Sequence, residues 1–203
     1  MDRRRFLTEA GVASAAAVAA HSGGAAAGAS PEPVTVLVAY HSGSGNTEKM
    51  AQGVAEGARA VSGTTVVLKR VGEAAASDLL SADAVVVGSP VYFGNMSGEV
   101  KTFLDNWLLK FGLWQDSKMR NKVGGAFATG GGVSNGKEIT MLTLLGAMLI
   151  NQMIVVSGGG GFGASGTTGP DSPGIDEKEE AEAHDLGRRV AEVAAVVKRG
   201  SGK

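Results

Sequence analysis

The sequence contains no cysteine in its 203 residues. Disulfides, thiolate-bound metals and a cysteine nucleophile are therefore excluded. The three histidines, His21, His41 and His184, are scattered and form no metal-binding or acid–base constellation. An excess of charge of one sign is also absent, since the formal net charge is −1. Because a nucleic-acid-binding protein usually carries a basic surface, that class is disfavoured.

The first 29 residues have the features of an export signal rather than of a folded domain. The order Arg3-Arg4-Arg5-Phe6-Leu7 resembles a twin-arginine signal, and a weakly apolar stretch follows at residues 11–20. That stretch is too short to span a bilayer comfortably, so no stable membrane anchor is expected. Ala27-Gly28-Ala29 matches a small-residue cleavage pattern. We therefore expect a twin-arginine-like signal at residues 1–29, export to the periplasm or cell exterior, and one domain over residues 30–203.

The most informative stretch begins with residues 34–40, a near-continuous apolar and β-branched run. Such a run predicts a strand buried on both faces of a parallel sheet. A short loop of glycine and hydroxyl residues follows, and then apolar residues recur at helical spacing. Backbone N–H groups, the helix dipole and hydroxyl donors converge at this junction, which predicts an anion site. The expected cofactor-binding residues are Ser42, Gly43, Ser44, Gly45, Asn46 and Thr47.

The type of anion follows from what this loop lacks. No Gly-Lys-Ser/Thr ending is present, which excludes a Walker-type loop. Counted from Gly43, the sixth position is Glu48 rather than glycine, so the dinucleotide fingerprint is not met. A hydroxyl-rich loop without a cation suits one terminal phosphate monoester held by hydrogen bonds. The stretch Ser42–Thr47 resembles the FMN-phosphate loop of the flavodoxin-like family.

A second ligand-facing stretch follows the strand predicted at residues 83–89. Pro90 restricts the direction of the backbone, and Gly94 allows the main chain to approach a flat ligand. Tyr92 and Phe93 have two interpretations, as covers for a ring or as ordinary packing within the loop. Open α/β sheets bind their ligands at the carboxyl ends of strands, where this stretch lies. The expected cofactor contacts here are Pro90, Val91, Tyr92, Phe93, Gly94 and Asn95.

A third such stretch follows the strand predicted at residues 122–128. Three consecutive glycines after Thr129 allow several backbone N–H groups to face a ligand, although a flexible loop is the alternative. The expected contacts are Thr129, Gly130, Gly131 and Gly132. Residues 157–174 are rich in glycine, which indicates a linker by composition, whereas their position after the last strand indicates a lid. Both interpretations remain open from the sequence.

The remaining elements complete an alternation of five strands with helices. Strands are also predicted at 64–69 and 153–156, and helices at 73–81, 138–150 and 176–198. Trp107 is expected in the core. The helix at 138–150 is apolar, with Ile139, Leu142, Leu145 and Leu149 among its residues. The alternation predicts an α/β fold, a flavodoxin-like doubly wound parallel sheet in the order 2-1-3-4-5 with helices on both faces.

A narrower resemblance rests on Ser89–Met96, on Lys101–Trp107 and on Gly112–Trp114. These stretches are similar to the WrbA-type NAD(P)H:quinone oxidoreductases and their FMN-reductase relatives. The resemblance implies FMN as the cofactor, NAD(P)H as the electron donor and a quinone as the acceptor, without a catalytic side chain or a metal. It also suggests a homo-oligomer in which Trp114 reaches a flavin near a subunit boundary. Asn151 stands about where that family usually has a histidine bordering the substrate.

Two other functions stay open from the sequence. One is a flavodoxin-type carrier that passes single electrons between protein partners. Such carriers are typically strongly acidic. Here the whole chain has a formal net charge of −1, and without residues 1–29, which contain three arginines and two acidic residues, the net charge is only −2. The other is an NADP-binding domain in which Lys69 or Arg70 contacts the 2′-phosphate. The slight negative charge favours the reductase over the carrier.

Overall fold

The computed structural model describes residues 33–169 and 174–201. The predicted export signal at residues 1–29 lies outside these residues. The strands are β1 (Val34–Tyr40), β2 (Thr64–Arg70), β3 (Ala84–Tyr92), β4 (Asn95–Met96), β5 (Val123–Gly130), β6 (Ile154–Val155) and β7 (Ala164–Thr167). The helices are α1 (Asn46–Arg59), α2 (Ala76–Ser81), α3 (Gly98–Leu109), α4 (Lys137–Ile150) and α5 (Glu177–Gly200), with a 3₁₀ turn at Gln115–Ser117.

The main sheet has the order β2-β1-β3-β5-β6, and all pairs along this path are parallel. In β1, residues 36–39 are completely buried because helices cover the sheet on both sides. The carboxyl ends of β1, β3 and β5 therefore lie next to each other along one edge. The predicted α/β fold with a doubly wound parallel sheet is confirmed.

The last strand of the sheet differs from the prediction because it is split into two pieces. β6 pairs with the beginning of β5, at Val123 and Gly124, and is only two residues long. β7 pairs with the end of β5, at residues 127–130. The linker interpretation of residues 157–174 is thus wrong for 164–167. Small residues suit this position, since a Cβ on Gly166 would lie 2.4 Å from the Ile175 side chain.

The helices form one hydrophobic core on each face of the sheet. On one face α1 and α5 pack so closely that only glycine fits at Gly57 and at Gly187. A Cβ at either position would lie 1.9 Å from a carbonyl oxygen of the other helix. On the opposite face lie α2, α3 and α4. There Trp107 is buried, as predicted, and lies edge-to-face with Phe103 at 5.8 Å between ring centroids.

Helix α4 is apolar, as its sequence predicts, on its exposed face as well as on its buried face. Ile139, Leu142 and Leu149 are 58%, 47% and 56% exposed, whereas Leu145 is buried. The buried face is formed by Thr140, Met141, Leu144, Leu145 and Met148. The helix is apolar on nearly every side, so its periodicity did not decide which side faces the sheet. No helix within the described residues is long and apolar enough to cross a bilayer.

Candidate functional site

Three loops meet at the carboxyl edge of the sheet: the first loop (residues 41–47), the second loop (90–96) and the third loop (129–136). Thr47 and Thr129 connect the first and third loops through a hydrogen bond of 2.7 Å between their Oγ1 atoms. The second and third loops are in contact, since a Cβ on Gly136 would lie 2.4 Å from the Gly94 carbonyl oxygen. The structure therefore brings all three predicted stretches together.

The first loop presents hydrogen-bond donors that no protein group uses. Within the described residues, no acceptor faces the backbone N–H groups of Gly43, Ser44, Asn46 and Thr47, whereas the N–H of Gly45 donates to Ser42 Oγ at 3.1 Å. Helix α1 starts here without a side-chain cap, at Gly45 with φ of 92°. Unpaired N–H groups at a helix N-terminus bind a phosphate through hydrogen bonds and the helix dipole.

Arg70 braces the first loop from the end of β2. Its Nη1 donates to the Ser42 carbonyl oxygen at 2.9 Å, and its Nη2 donates to Glu48 Oε2 at 2.6 Å. Glu48 also accepts from the Tyr40 hydroxyl at 3.0 Å. Burial, and then this bond to Glu48, raises the pKa of Tyr40. This role of Arg70 was not predicted from the sequence. The signal for it is the parallel pairing of β1 with β2, which puts Arg70 beside Tyr40 and therefore next to the start of the first loop.

The alternative of an NADP-binding domain depended on Lys69 or Arg70 being available to a 2′-phosphate. Lys69 Nζ donates to both carboxylate oxygens of Asp78, each at 2.9 Å. Arg70 is used by the first loop and by Glu48. Both cations are therefore engaged within the protein, and the sheet order is that of a flavodoxin-like fold. This alternative is wrong.

The second loop is a tight β-hairpin that projects from the sheet. Val91 pairs with Met96 and Tyr92 pairs with Asn95. The turn between them consists of Phe93 and Gly94 at φ of 50° and 85°. Such angles strain a non-glycine residue, and strained residues cluster at functional sites. The Phe93 side chain is fully exposed and Tyr92 is 46% exposed, so the interpretation as ordinary loop packing does not hold for Phe93.

Buried Ser89 and half-buried His41 hold this hairpin in place. Ser89 Oγ accepts from the N–H of Ser97 at 2.9 Å and donates to the Pro90 carbonyl oxygen at 2.8 Å. The His41 ring packs edge-to-face with Tyr92 at 6.3 Å between centroids. His41 Nε2 also lies 3.7 Å from Glu99 Oε2. The Glu99 backbone N–H, and further the His41 charge, lowers the pKa of this carboxyl.

The third loop is braced by its own side chain, which argues against a freely flexible loop. Asn135, with its amide oriented to satisfy both neighbours, accepts from the N–H of Gly131 at 2.9 Å and donates to the Gly132 carbonyl oxygen at 3.2 Å. A Cβ on Gly130 would lie 2.2 Å from the Asn135 amide. The segment after β7 also touches the loop, since Thr168 N–H donates to Gly130 O at 2.9 Å. The sequence did not single out Asn135.

Trp114 and Asn151 are not brought to this edge. They line an apolar cavity of about 550 Å³ between α3 and α4, and Asn151 donates its side-chain amide to the Ala147 carbonyl oxygen at 2.8 Å. Asn151 caps the far end of α4, whose first residue follows the third loop. A helix of that length spans about 20 Å. Within one chain, Asn151 therefore lies about a helix length from the third loop, and the cavity that it shares with Trp114 reaches only Met96, at the end of the second loop.

Comparisons with known proteins agree with this geometry. The family model of the NADPH-dependent FMN reductases matches residues 33–166. A flavodoxin of Aquifex aeolicus (strain VF5) is 39% identical over 79% of this chain and 87% of the relative. An NAD(P)H dehydrogenase (quinone) of Geotalea uraniireducens (strain Rf4) is 33% identical over 81% of this chain and 99% of the relative. The crystal structure of a flavodoxin, WrbA-like protein from Agrobacterium tumefaciens superposes with a TM-score of 0.68, at 28% identity over 79% of this chain and 97% of that chain.

The described residues fit the flavin mononucleotide that this family implies. The first loop offers unpaired N–H groups together with the buried hydroxyls of Ser42 and Thr47. The hairpin and the third loop offer glycine main chain, an approach suited to a flat ring. In the part of the chain that the structure describes, no cluster of three or more metal-ligating side chains exists. The chain belongs to the NADPH-dependent FMN reductase family of flavodoxin-like proteins, with FMN as its cofactor and NAD(P)H as its electron donor.

Proposed function

We propose that this protein is an FMN-dependent NAD(P)H:quinone oxidoreductase. The observation that carries the proposal is the meeting of three ligand-facing loops at one sheet edge, tied by the Thr47–Thr129 hydrogen bond. Support for the quinone as acceptor comes from two relatives named NAD(P)H dehydrogenase (quinone), which are 33% and 35% identical. Reduction by NAD(P)H and then transfer of two electrons to a quinone would share one pocket.

The protein side of this reaction consists of binding and orientation. The first loop holds the phosphate through N–H groups and hydroxyls, and Arg70 keeps that loop in shape. Tyr92 and Phe93 on the hairpin would contact the ring, and the third loop would offer backbone N–H groups to it. When bound, FMN supplies the hydride and electron chemistry. No nucleophilic side chain is required for this chemistry.

A second candidate is a flavodoxin-type carrier that exchanges electrons with protein partners. The 39% identity to a protein named flavodoxin favours it. The fully exposed Phe93 at the tip of the hairpin would also suit a protein partner. Against it stands the slight net charge, since electron carriers commonly use strong charge to steer their partners.

The visible spectrum of the FMN-loaded full chain separates these two candidates. Under anaerobic conditions, we expect NADPH or NADH to bleach the flavin band rapidly, and a quinone added next to restore it. Photoreduction provides the control, because it reduces the flavin whether or not NAD(P)H binds. If only a strong chemical reductant bleaches the band, through a stable one-electron form, the protein is a carrier and the proposal is refuted.

Trp114 and Asn151 keep a role in substrate binding only if a second copy of the chain supplies them. The apolar surface around them supports such a homo-oligomer, since Leu108, Leu109 and Ile150, which line the same cavity, are 49%, 77% and 66% exposed. We expect Ile150→Glu to shift the molar mass measured by light scattering towards the monomer. Glu192→Leu on α5, away from this surface, is the matched control and should not change the mass. A monomeric wild-type protein at assay concentration would exclude the role.

The twin-arginine-like signal at residues 1–29 supports export in a folded state, after cofactor insertion. This proposal is tested by replacing Arg3 and Arg4 with lysine and following the location of the protein. We expect the variant to remain inside the cell while the wild-type chain is exported. Equal distribution of both chains would exclude this route.

A further inference from the structure

Lys137 is a buried cation that the function described so far does not use. It is the first residue of α4 and is only 5% exposed. Its Nζ donates one hydrogen bond, to Thr167 Oγ1 at 2.5 Å. In the described part of the chain, no carboxylate lies within ion-pair distance of it, although lysine is rarely buried without a charged partner.

The contacts of Lys137 place its ammonium at the cofactor edge of the sheet. Thr167, which it contacts, pairs with Gly130 at the end of β5. The neighbour of Gly130 is Thr129, whose hydroxyl reaches Thr47 in the first loop. Lys137 thus lies where the first and third loops join, close to the N-terminus of α4, whose dipole adds to the positive potential.

A purely structural role explains the hydrogen bond but not the charge. Glutamine could also donate to Thr167, at a smaller cost of desolvation than an ammonium group. A carboxylate on α5, that of Glu179, also reaches Thr167, and its Oε1 accepts from the Thr167 backbone N–H at 2.7 Å. That carboxylate is bound to the backbone of β7 and of Asp176 rather than to Lys137. A cation without an ion pair projects its charge onto its surroundings more strongly than a paired one.

We propose that Lys137 is a positioning residue that stabilises the negative charge of two-electron-reduced FMN. The proposal rests on the proposed function. A hydride from NAD(P)H carries two electrons and one proton to the flavin and leaves NAD(P)⁺, so the flavin gains one negative charge. Nearby protein charge tunes the electronics of a bound flavin. Lys137 would therefore raise the affinity for reduced FMN more than the affinity for oxidised FMN.

The test compares the two-electron midpoint potentials of the FMN-loaded full chain and its variants, with dithionite as the reductant. We expect K137M and K137Q to lose at least tenfold more affinity for reduced than for oxidised FMN. For a two-electron couple, that ratio lowers the midpoint potential by about 30 mV. K137R should stay close to the wild type because it keeps the charge. Lys110→Met, which removes an exposed lysine directly after α3, is the matched control and should leave the potential unchanged.

Thr167→Val separates charge from hydrogen bonding, because it removes the acceptor and keeps the ammonium. Its potential should stay nearer to the wild type than that of K137Q. The proposal is overturned if K137Q and K137R give equal potentials, or if Thr167→Val shifts the potential as much as K137Q does. Because dithionite replaces NAD(P)H, the result does not depend on whether the proposed reductase activity exists. If K137M does not fold, the difference between the midpoint potentials of K137Q and K137R tests the proposal by itself.

Discussion

The hydrogen bond between Thr47 and Thr129 offers a sharp test of the cofactor site. Both hydroxyls are buried, at 2% and 3% exposure, and each is the other's partner at 2.7 Å. Thr47→Val keeps the shape of the side chain and removes only the hydroxyl. The Thr129 hydroxyl then loses its partner, which we expect to lower the stability of the apoprotein by about 1–3 kcal/mol.

The effect of Thr47→Val on cofactor binding has a separate origin. A hydrogen bond to a charged group is worth about 1.5–3 kcal/mol, so losing one to the phosphate should weaken FMN binding roughly 10- to 150-fold. The double variant T47V/T129V removes both hydroxyls. It should recover most of the lost stability, because replacing both partners is nearly neutral. Its affinity for FMN should stay low.

Two measurements check this reasoning. Urea unfolding of the apoprotein gives the stability, and quenching of FMN fluorescence on titration gives the affinity. Thr64→Val is the matched control, because the Thr64 hydroxyl is buried without a partner at the opposite end of the sheet. It should leave FMN affinity unchanged and stability equal or slightly higher. Wild-type affinity in Thr47→Val would refute the assignment of the first loop to the phosphate.

Two further predictions concern backbone geometry and pH. Gly136→Ala should destabilise the protein by more than about 1–2 kcal/mol, because Gly136 has φ of 101° and its new Cβ would meet the hairpin. Gly146→Ala in α4, where a Cβ meets nothing within 4 Å, should instead stabilise by about 0.5–1 kcal/mol in the same urea assay. The N–H of Ala75, and then Lys69, lowers the pKa of Asp78. The folded-state pKa thus lies below the unfolded value of about 3.9, so this stabilisation is complete above that pH and is lost as the pH falls through the folded-state pKa. Unfolding of Asp78→Asn should therefore differ from wild type at neutral pH and approach it in acid; an equal difference at both pH values would contradict this.

Local patterns in the sequence predicted much of the fold and the position of the site. The apolar run at 34–40 is a strand in the interior of the sheet, and Trp107 is in the core. Both could be predicted because strand burial and helix periodicity are properties of a few neighbouring residues. The spacing of Asp176 and Glu179 is that of a capping box, and α5 begins with one, in which the Glu179 N–H donates to Asp176 Oδ1 at 2.8 Å. The helix predicted at 73–81 begins only at Ala76. Helix ends are set by capping contacts rather than by periodicity.

The features that the sequence did not determine depend on contacts between residues far apart in the chain. Strand β7 lies in a segment with the composition of a linker, and it forms because the end of β5 offers free pairing groups. The exposed face of α4 depends on which side of an apolar helix the sheet covers.

The sequence by itself determined the class of fold, the order of the three loops and the chemistry of a phosphate-binding turn, since these follow from short runs of residues. Only the tertiary structure decided that Arg70 braces the first loop, that Asn151 lies a helix length away, and that Lys137 is buried beside Thr167. These roles depend on distance and burial in three dimensions, which no local pattern encodes. A lysine on the surface and a lysine in the interior are the same residue in the sequence. The strength of the electrostatic interactions of its charge depends on burial and on the neighbouring groups, which only the tertiary structure shows.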